Sequence, residues 1–77
     1  MSVIIYSASW CAPCKTAKKW FDNKGIAYVE KLVDDENDPS ILKEFTEAGY
    51  MATPTIIIND RVIVGHNPKK YEEALAS

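Results

Sequence analysis

Cys11-Ala12-Pro13-Cys14 sets two thiols three positions apart, so a disulfide between them can open and close within one helical turn. The loop such a bond closes is too short to remove much unfolded-state entropy, and reversible chemistry explains the pair better than stapling. The attacking species in disulfide exchange is a thiolate, and a free cysteine with a pKa of ~8.5 is only slightly ionised near neutrality. Lowering Cys11 to about 7 takes roughly 2 kcal/mol of preference for the anion. Free N–H groups and the macrodipole at a helix start supply up to about 2 kcal/mol when partly buried, and Lys15 adds a smaller, screened attraction. Cys11 therefore reads as the nucleophile, and Cys14, one turn along, as the thiol that resolves the mixed disulfide.

The flanking residues must place this pair where a strand hands over to a helix. Residues 2 to 7 carry Val3-Ile4-Ile5-Tyr6, a β-branched and aromatic run, and Lys15 to Lys24 holds helix formers without Gly or Pro. Cys11 falls near the N-cap, with Pro13 in the first turn, where a missing N–H costs nothing. Cys14, Ala17 and Phe21 recur at helical spacing opposite a lysine-rich face, which turns Cys14 inward and Cys11 outward. Gly25 suits a left-handed cap, and residues 26 to 33 return as a second strand. Asp38-Pro39-Ser40 then puts a capping carboxylate before a proline, opening a helix whose apolar positions are Ile41, Leu42, Phe45 and Ala48 and whose end is Gly49. Residues 54 to 58 and 61 to 64 flank Asn59-Asp60 as a hairpin. Asn67-Pro68 repeats the cap signal for a closing helix over 69 to 76, with Tyr71, Ala74 and Leu75 facing in. The order is β-α-β-α-β-β-α: an α/β chain with one mixed sheet of four strands and three helices.

Seventy-seven residues make one domain spanning 1–77, and a chain this short buries only about 60% of its unfolded surface. Nine basic against eleven acidic residues leave a net charge of −2, from which no affinity for nucleic acid or anionic membrane follows. The longest apolar runs are strand-sized, and the N-terminus lacks the pattern of a secretory signal, so the expectation is a cytoplasmic monomer. A lone Cys-X-X-Cys with a distant His66 offers three ligands where a structural zinc takes four. A zinc or iron–sulfur module is thus the rival from another class, and it needs ligands from outside the chain.

Tyr6-Ser7 leading to Cys11-Ala12-Pro13-Cys14-Lys15, Thr53-Pro54-Thr55 opening the third strand, and Gly65 after the hairpin resemble the glutaredoxin and thioredoxin superfamily over nearly the whole chain. In length and element order the chain looks most like a small glutaredoxin or the glutaredoxin-like NrdH-redoxins. Trp10-Cys11-Ala12-Pro13-Cys14-Lys15 is closer to the thioredoxin site, with Ala12 where thioredoxins have Gly. The resemblance implies a thioredoxin fold and a thiol-disulfide oxidoreductase, an electron carrier in cell redox homeostasis acting on disulfide-containing proteins. It implies no cofactor beyond a redox-active Cys11–Cys14 disulfide and no bound metal. Its reductant is a thioredoxin-reductase-type enzyme or glutathione, and ribonucleotide reductase is an acceptor by analogy with NrdH-redoxins. By the same resemblance, Thr53-Pro54 is a cis bond facing the cysteines, and the Thr53 backbone pairs with an extended substrate. Residues alone read Pro54 as a trans strand-opener. Trp10, Ala12 and Pro13 join the substrate site, with Lys15, Tyr6 and Gly65 in support.

Several positions carry a plain reading beside the functional one. Trp10 is a partly buried aromatic or a wall of the substrate groove, Tyr6 belongs to the core or the groove edge, and Trp20 packs along the first helix. His66 reads as a solvated loop residue. Two departures bear on the reductant and on proton transfer. Ala8 stands where glutathione-dependent glutaredoxins carry a basic residue, and Gly65-His66-Asn67-Pro68 replaces their Gly-Gly-Cys-Asp type of run, with Asn67 more simply a helix cap. Val3-Ile4-Ile5 and the first helix show no counterpart of the buried acid that takes the second cysteine's proton in thioredoxins, which leaves water or a substrate group for that task.

Overall fold

The computed structural model describes residues 2–76 and runs β1(Val3–Ser7), α1(Ala12–Asn23), β2(Val29–Leu32), α2(Pro39–Glu47), β3(Thr55–Ile58), β4(Arg61–Val64) and α3(Pro68–Ala76). The sheet order is β2-β1-β3-β4. β1 pairs parallel with β2, and β3 is antiparallel to both β1 and β4. This is a thioredoxin fold with the expected order of elements. Asn59 and Asp60 close the hairpin at φ +49° and +71°, the left-handed pair that a tight two-residue turn requires.

Alternation along the strands divides the sheet into two faces. Val3 and Ile5 of β1 and Ile56 and Ile58 of β3 point to the side covered by α1 and α3, where Phe21 and Tyr71 are fully buried. Burying a side chain such as Phe21 stabilises by about 1.5–3 kcal/mol, so this layer is the anchor that holds α1 against the sheet. On the opposite face the Tyr6 ring packs against Phe45 of α2 at 5.5 Å and against Tyr50 at 5.7 Å.

Three local expectations are corrected. The second strand does not begin at residue 26: the Ile26 N–H instead donates to the Phe21 carbonyl at 3.0 Å and closes the end of α1, while Ile26 and Tyr28 pack against the core. Asp38 makes no side-chain cap to α2 and accepts from the Ser40 hydroxyl instead. Of the apolar positions on α2 only Phe45 is buried, and Leu42 is exposed, because α2 packs on the β1–β2 side and leaves much of its own surface to solvent. Asn67 behaves as expected, its side-chain oxygen accepting from the Lys70 N–H at 3.2 Å at the start of α3.

Candidate active site

The strand-to-helix turn builds the site. Cys11 is the N-cap of α1, with extended backbone at φ −92° and ψ 108°, and its Sγ accepts from the Cys14 N–H at 3.3 Å. An N-cap side chain satisfies one of the N–H groups that the first helical turn leaves without a carbonyl partner, and here sulfur fills the place usually taken by oxygen. Pro13 occupies the first turn, where its missing N–H removes no helical bond. Cys11 and Cys14 are joined as a disulfide, with Cα atoms 5.3 Å apart.

Cys14 is fully buried, as its helical phase requires, but Cys11 is not outward: only 3% of it is exposed. Bonding to Cys14 and contact with Ala8 draw Cys11 into a small apolar cluster, with Val33 packed beside it. The Thr53 carbonyl lies over the sulfur, its oxygen 3.6 Å from Cys11 Sγ.

That carbonyl is held by a chain of bonds running back into the core. Thr53-Pro54 is cis. The buried Thr55 hydroxyl donates to the Ala52 carbonyl at 2.6 Å. The Gly65 N–H donates to the Pro54 carbonyl at 2.8 Å, and the Tyr71 hydroxyl donates to the Gly65 carbonyl at 2.9 Å. Gly65 sits at φ +84°, a conformation that L side chains rarely adopt. Cys11, Cys14, Thr53, Pro54 and Gly65 are thus brought together from three separate parts of the chain.

The remaining sequence candidates fall around this centre. Trp10 is 77% exposed, so its partly buried reading fails and it stands free beside Cys11. Ala12, Pro13 and Lys15 are exposed at the start of α1. Tyr6 is core rather than groove edge: it is buried against Phe45 and Tyr50, and its hydroxyl donates to Glu44 at 2.5 Å. Burial, reinforced by Glu44, pushes the Tyr6 hydroxyl up to about 12. Trp20 packs edge-on to Phe21 and Tyr71, as its place on α1 implies. His66 is half-buried against Tyr71 rather than solvated, and its Nδ1 has no hydrogen-bond partner among the described residues. Among those residues no group of three or more His, Cys, Asp or Glu side chains is placed to hold a metal ion.

Two carboxylates near the site escape a reading of the sequence. Glu30 of β2, the register partner of Ile5, accepts from the buried Ser7 hydroxyl at 2.7 Å and pairs with Lys18, one turn beyond Cys14 on α1. Burial pushes the Glu30 carboxyl up, but the bonds from Lys18 and Ser7 outweigh it and hold the group below its ordinary range. Asp34, just past β2, accepts from the Ser9 N–H through both oxygens at 3.2 Å and also from the Ser9 hydroxyl. The hydroxyl bond leads in holding the Asp34 carboxyl low. Both contacts join residues about twenty-five apart or nearly so, and only the parallel register of β1 and β2 could have revealed them.

A glutaredoxin family model matches residues 3–63. The chain belongs to the glutaredoxin family. It is 32% identical over 68 residues to a glutaredoxin-like protein NrdH of Lactococcus lactis subsp. cremoris, covering 88% of this chain and 92% of that protein. Its fold is similar to that of the Escherichia coli glutaredoxin-like protein NrdH-redoxin, with a TM-score of 0.82, 23% identity, and coverage of 95% of this chain and 93% of that one. It is also similar to a buckwheat glutaredoxin in complex with glutathione, with a TM-score of 0.72, 24% identity, and coverage of 96% and 72%. This glutaredoxin is a thiol-disulfide oxidoreductase carrying a Cys-X-X-Cys disulfide. Among its described residues no helix is long and apolar enough to cross a membrane.

Proposed function

We propose that this glutaredoxin passes two electrons from its dithiol to the disulfides of proteins and is recharged by a thioredoxin-reductase-type enzyme rather than by glutathione. The Cys11 thiolate attacks one sulfur of the substrate disulfide, forming a mixed disulfide and expelling the other substrate sulfur as a thiolate, which takes up a proton. Cys14, losing its proton, then attacks Cys11 Sγ. The Cys11–Cys14 disulfide re-forms and the second substrate thiol leaves, so the substrate has gained two electrons and two protons.

The observation that carries this order of events is the Cys14 N–H aimed at Cys11 Sγ, because it stabilises negative charge on Cys11, while no equivalent donor faces the Cys14 sulfur among the described residues. The nearby Thr53 carbonyl supports docking of an extended polypeptide along the cis-proline turn, with Trp10, Ala12 and Pro13 exposed on its other side. The balance of charge favours a reductase over glutathione. Ala8 is apolar and buried, Asp34 brings a carboxylate next to Ser9, and the Asn67 side chain is engaged in capping α3. A tripeptide bearing two carboxylates gains little from such surroundings. A ribonucleotide reductase is an acceptor consistent with the NrdH relatives. The reaction requires no cofactor beyond the cysteine pair. The active protein is a cytoplasmic monomer.

The buckwheat glutathione complex favours a second reading, in which glutathione recharges the pair. Two coupled assays separate the readings, with insulin disulfides as substrate: NADPH with thioredoxin reductase, and NADPH with glutathione and glutathione reductase. Turnover with thioredoxin reductase at a rate well above the glutathione couple is expected. Turnover with the glutathione couple alone overturns the proposal.

A further inference from the structure

Ser9, two residues before Cys11, is tied down from outside its own turn. Both oxygens of Asp34 accept from the Ser9 N–H, and one accepts from its hydroxyl as well. Around this clamp the Cys11 N–H donates to the Ala8 carbonyl at 3.2 Å and the Val33 N–H donates to the Ser7 carbonyl at 2.8 Å. The whole approach to the nucleophile is therefore fastened to the end of β2. We propose that Asp34 is a positioning residue for Cys11: it fixes the turn that aims the sulfur at the Cys14 N–H, and its charge at the mouth of α1 opposes the thiolate formed there.

The two effects have opposite signs, and this makes them separable. Fixing the turn keeps the Cys14 N–H on the sulfur and favours the anion. A carboxylate held two residues away, within about one Debye length at physiological salt, disfavours it. The other charges around the site are few. Lys15 lies in the first turn of α1, Lys18 one turn beyond Cys14 is paired with Glu30, the Asp35 carboxylate is engaged by the Asn37 N–H, and the turn over residues 51 to 54 carries none. The inference rests on Cys11 being the nucleophile.

The test follows alkylation of the reduced protein by iodoacetamide against pH, with mass spectrometry locating the modified cysteine, in the wild type, D34N and D34A. Asn keeps an oxygen for the Ser9 N–H but loses the charge, so the alkylation midpoint of Cys11 should fall by about half a pH unit in D34N. The difference from wild type should shrink severalfold at about 1 M salt. Ala loses the acceptor too, so the midpoint of D34A should lie above that of D34N at every salt concentration. Coincident midpoints for D34N and D34A overturn the positioning role, and a D34N midpoint equal to wild type overturns the electrostatic one. Alkylation of Cys14 ahead of Cys11 in the wild type would instead refute the assignment of the nucleophile, a distinct failure. Circular dichroism of each variant, with re-formation of the Cys11–Cys14 disulfide on oxidation, confirms that the comparison is between folded proteins.

Discussion

Tyr71→Phe isolates one bond in the chain that runs from the core to the sulfur. The Tyr71 hydroxyl donates to the Gly65 carbonyl at 2.9 Å, Gly65 donates to the Pro54 carbonyl at 2.8 Å, and the neighbouring Thr53 carbonyl lies 3.6 Å from Cys11 Sγ. Phenylalanine retains the ring against Phe21 at 5.1 Å and Trp20 at 5.3 Å, so no cavity opens and the apolar contribution is kept. What is lost is one hydrogen bond, at about 1 kcal/mol net, together with the donor to a carbonyl in a partly buried setting, so the total cost is about 1–2 kcal/mol. In a domain of this size each kcal/mol lowers the melting temperature by about 4–8 °C, which places Y71F about 5–15 °C below the wild type. Burial keeps the Tyr71 hydroxyl protonated beyond its ordinary range, so the loss should not vary across neutral and mildly alkaline pH. Urea unfolding of the oxidised protein, followed by the fluorescence of half-buried Trp20, measures the difference with an unchanged slope against denaturant. A Y71F protein within about 0.3 kcal/mol of wild type would show that the hydroxyl does not hold Gly65, and the link from α3 to the cis-proline turn would fail with it.

Cys11→Ser should abolish insulin reduction, whereas Cys14→Ser should accumulate a mixed disulfide with substrate visible on non-reducing gels; the opposite pattern would exchange their roles. The Glu30 carboxyl is held below its ordinary range in the folded protein, so its stabilising contribution is present above about pH 4.5 and is lost as pH falls through the lower folded value. E30Q should therefore lose less stability than wild type between about pH 6 and about pH 3 in urea titrations, and parallel losses would contradict the Lys18 and Ser7 bonding. The Tyr6 hydroxyl is raised to about 12, so the folded state keeps its proton longer than the unfolded chain does, and the associated stability falls as pH rises from about 10 towards that value. That shift corresponds to about 2–3 kcal/mol, and Y6F should show a correspondingly smaller alkaline loss in the same assay.

The elements with strong local punctuation were legible in the residues. Asp38-Pro39 and Asn67-Pro68 start α2 and α3, Gly25 and Gly49 follow the ends of α1 and α2, and Asn59-Asp60 turns the hairpin, each because a backbone conformation demands a particular residue type. The second strand was overread because Ile26 and Tyr28 are apolar for a different reason: they fill the core where α1 ends, and a strand pattern cannot be told from a packed loop by periodicity alone. On α2 the apolar spacing was correct but the burial was not. A helix laid on a small sheet covers a limited area, and the positions beyond its contact stripe remain wet whatever their hydropathy.

At the site the motif gave the sulfurs and the turn gave the cap, since both are local. The direction of Cys11 was misjudged because helical phase describes only residues inside the helix, and an N-cap in extended backbone follows the turn instead. Glu30 and Asp34 stayed hidden for the converse reason. Each is an ordinary acid in its own segment and acquires meaning only through pairing with Ser7 between β1 and β2 or with Ser9 just beyond their ends. The cap also couples fold to the proposed chemistry: one N–H, that of Cys14, both completes the first turn of α1 and faces the sulfur proposed to carry charge. A thiolate accepts that hydrogen bond more strongly than a disulfide sulfur does, because charge-assisted bonds are roughly twice as strong as neutral ones. On the proposed assignment of Cys11 as the nucleophile, that one bond is therefore stronger in the dithiol form than in the disulfide, where the Cys11–Cys14 bond ties the same turn covalently.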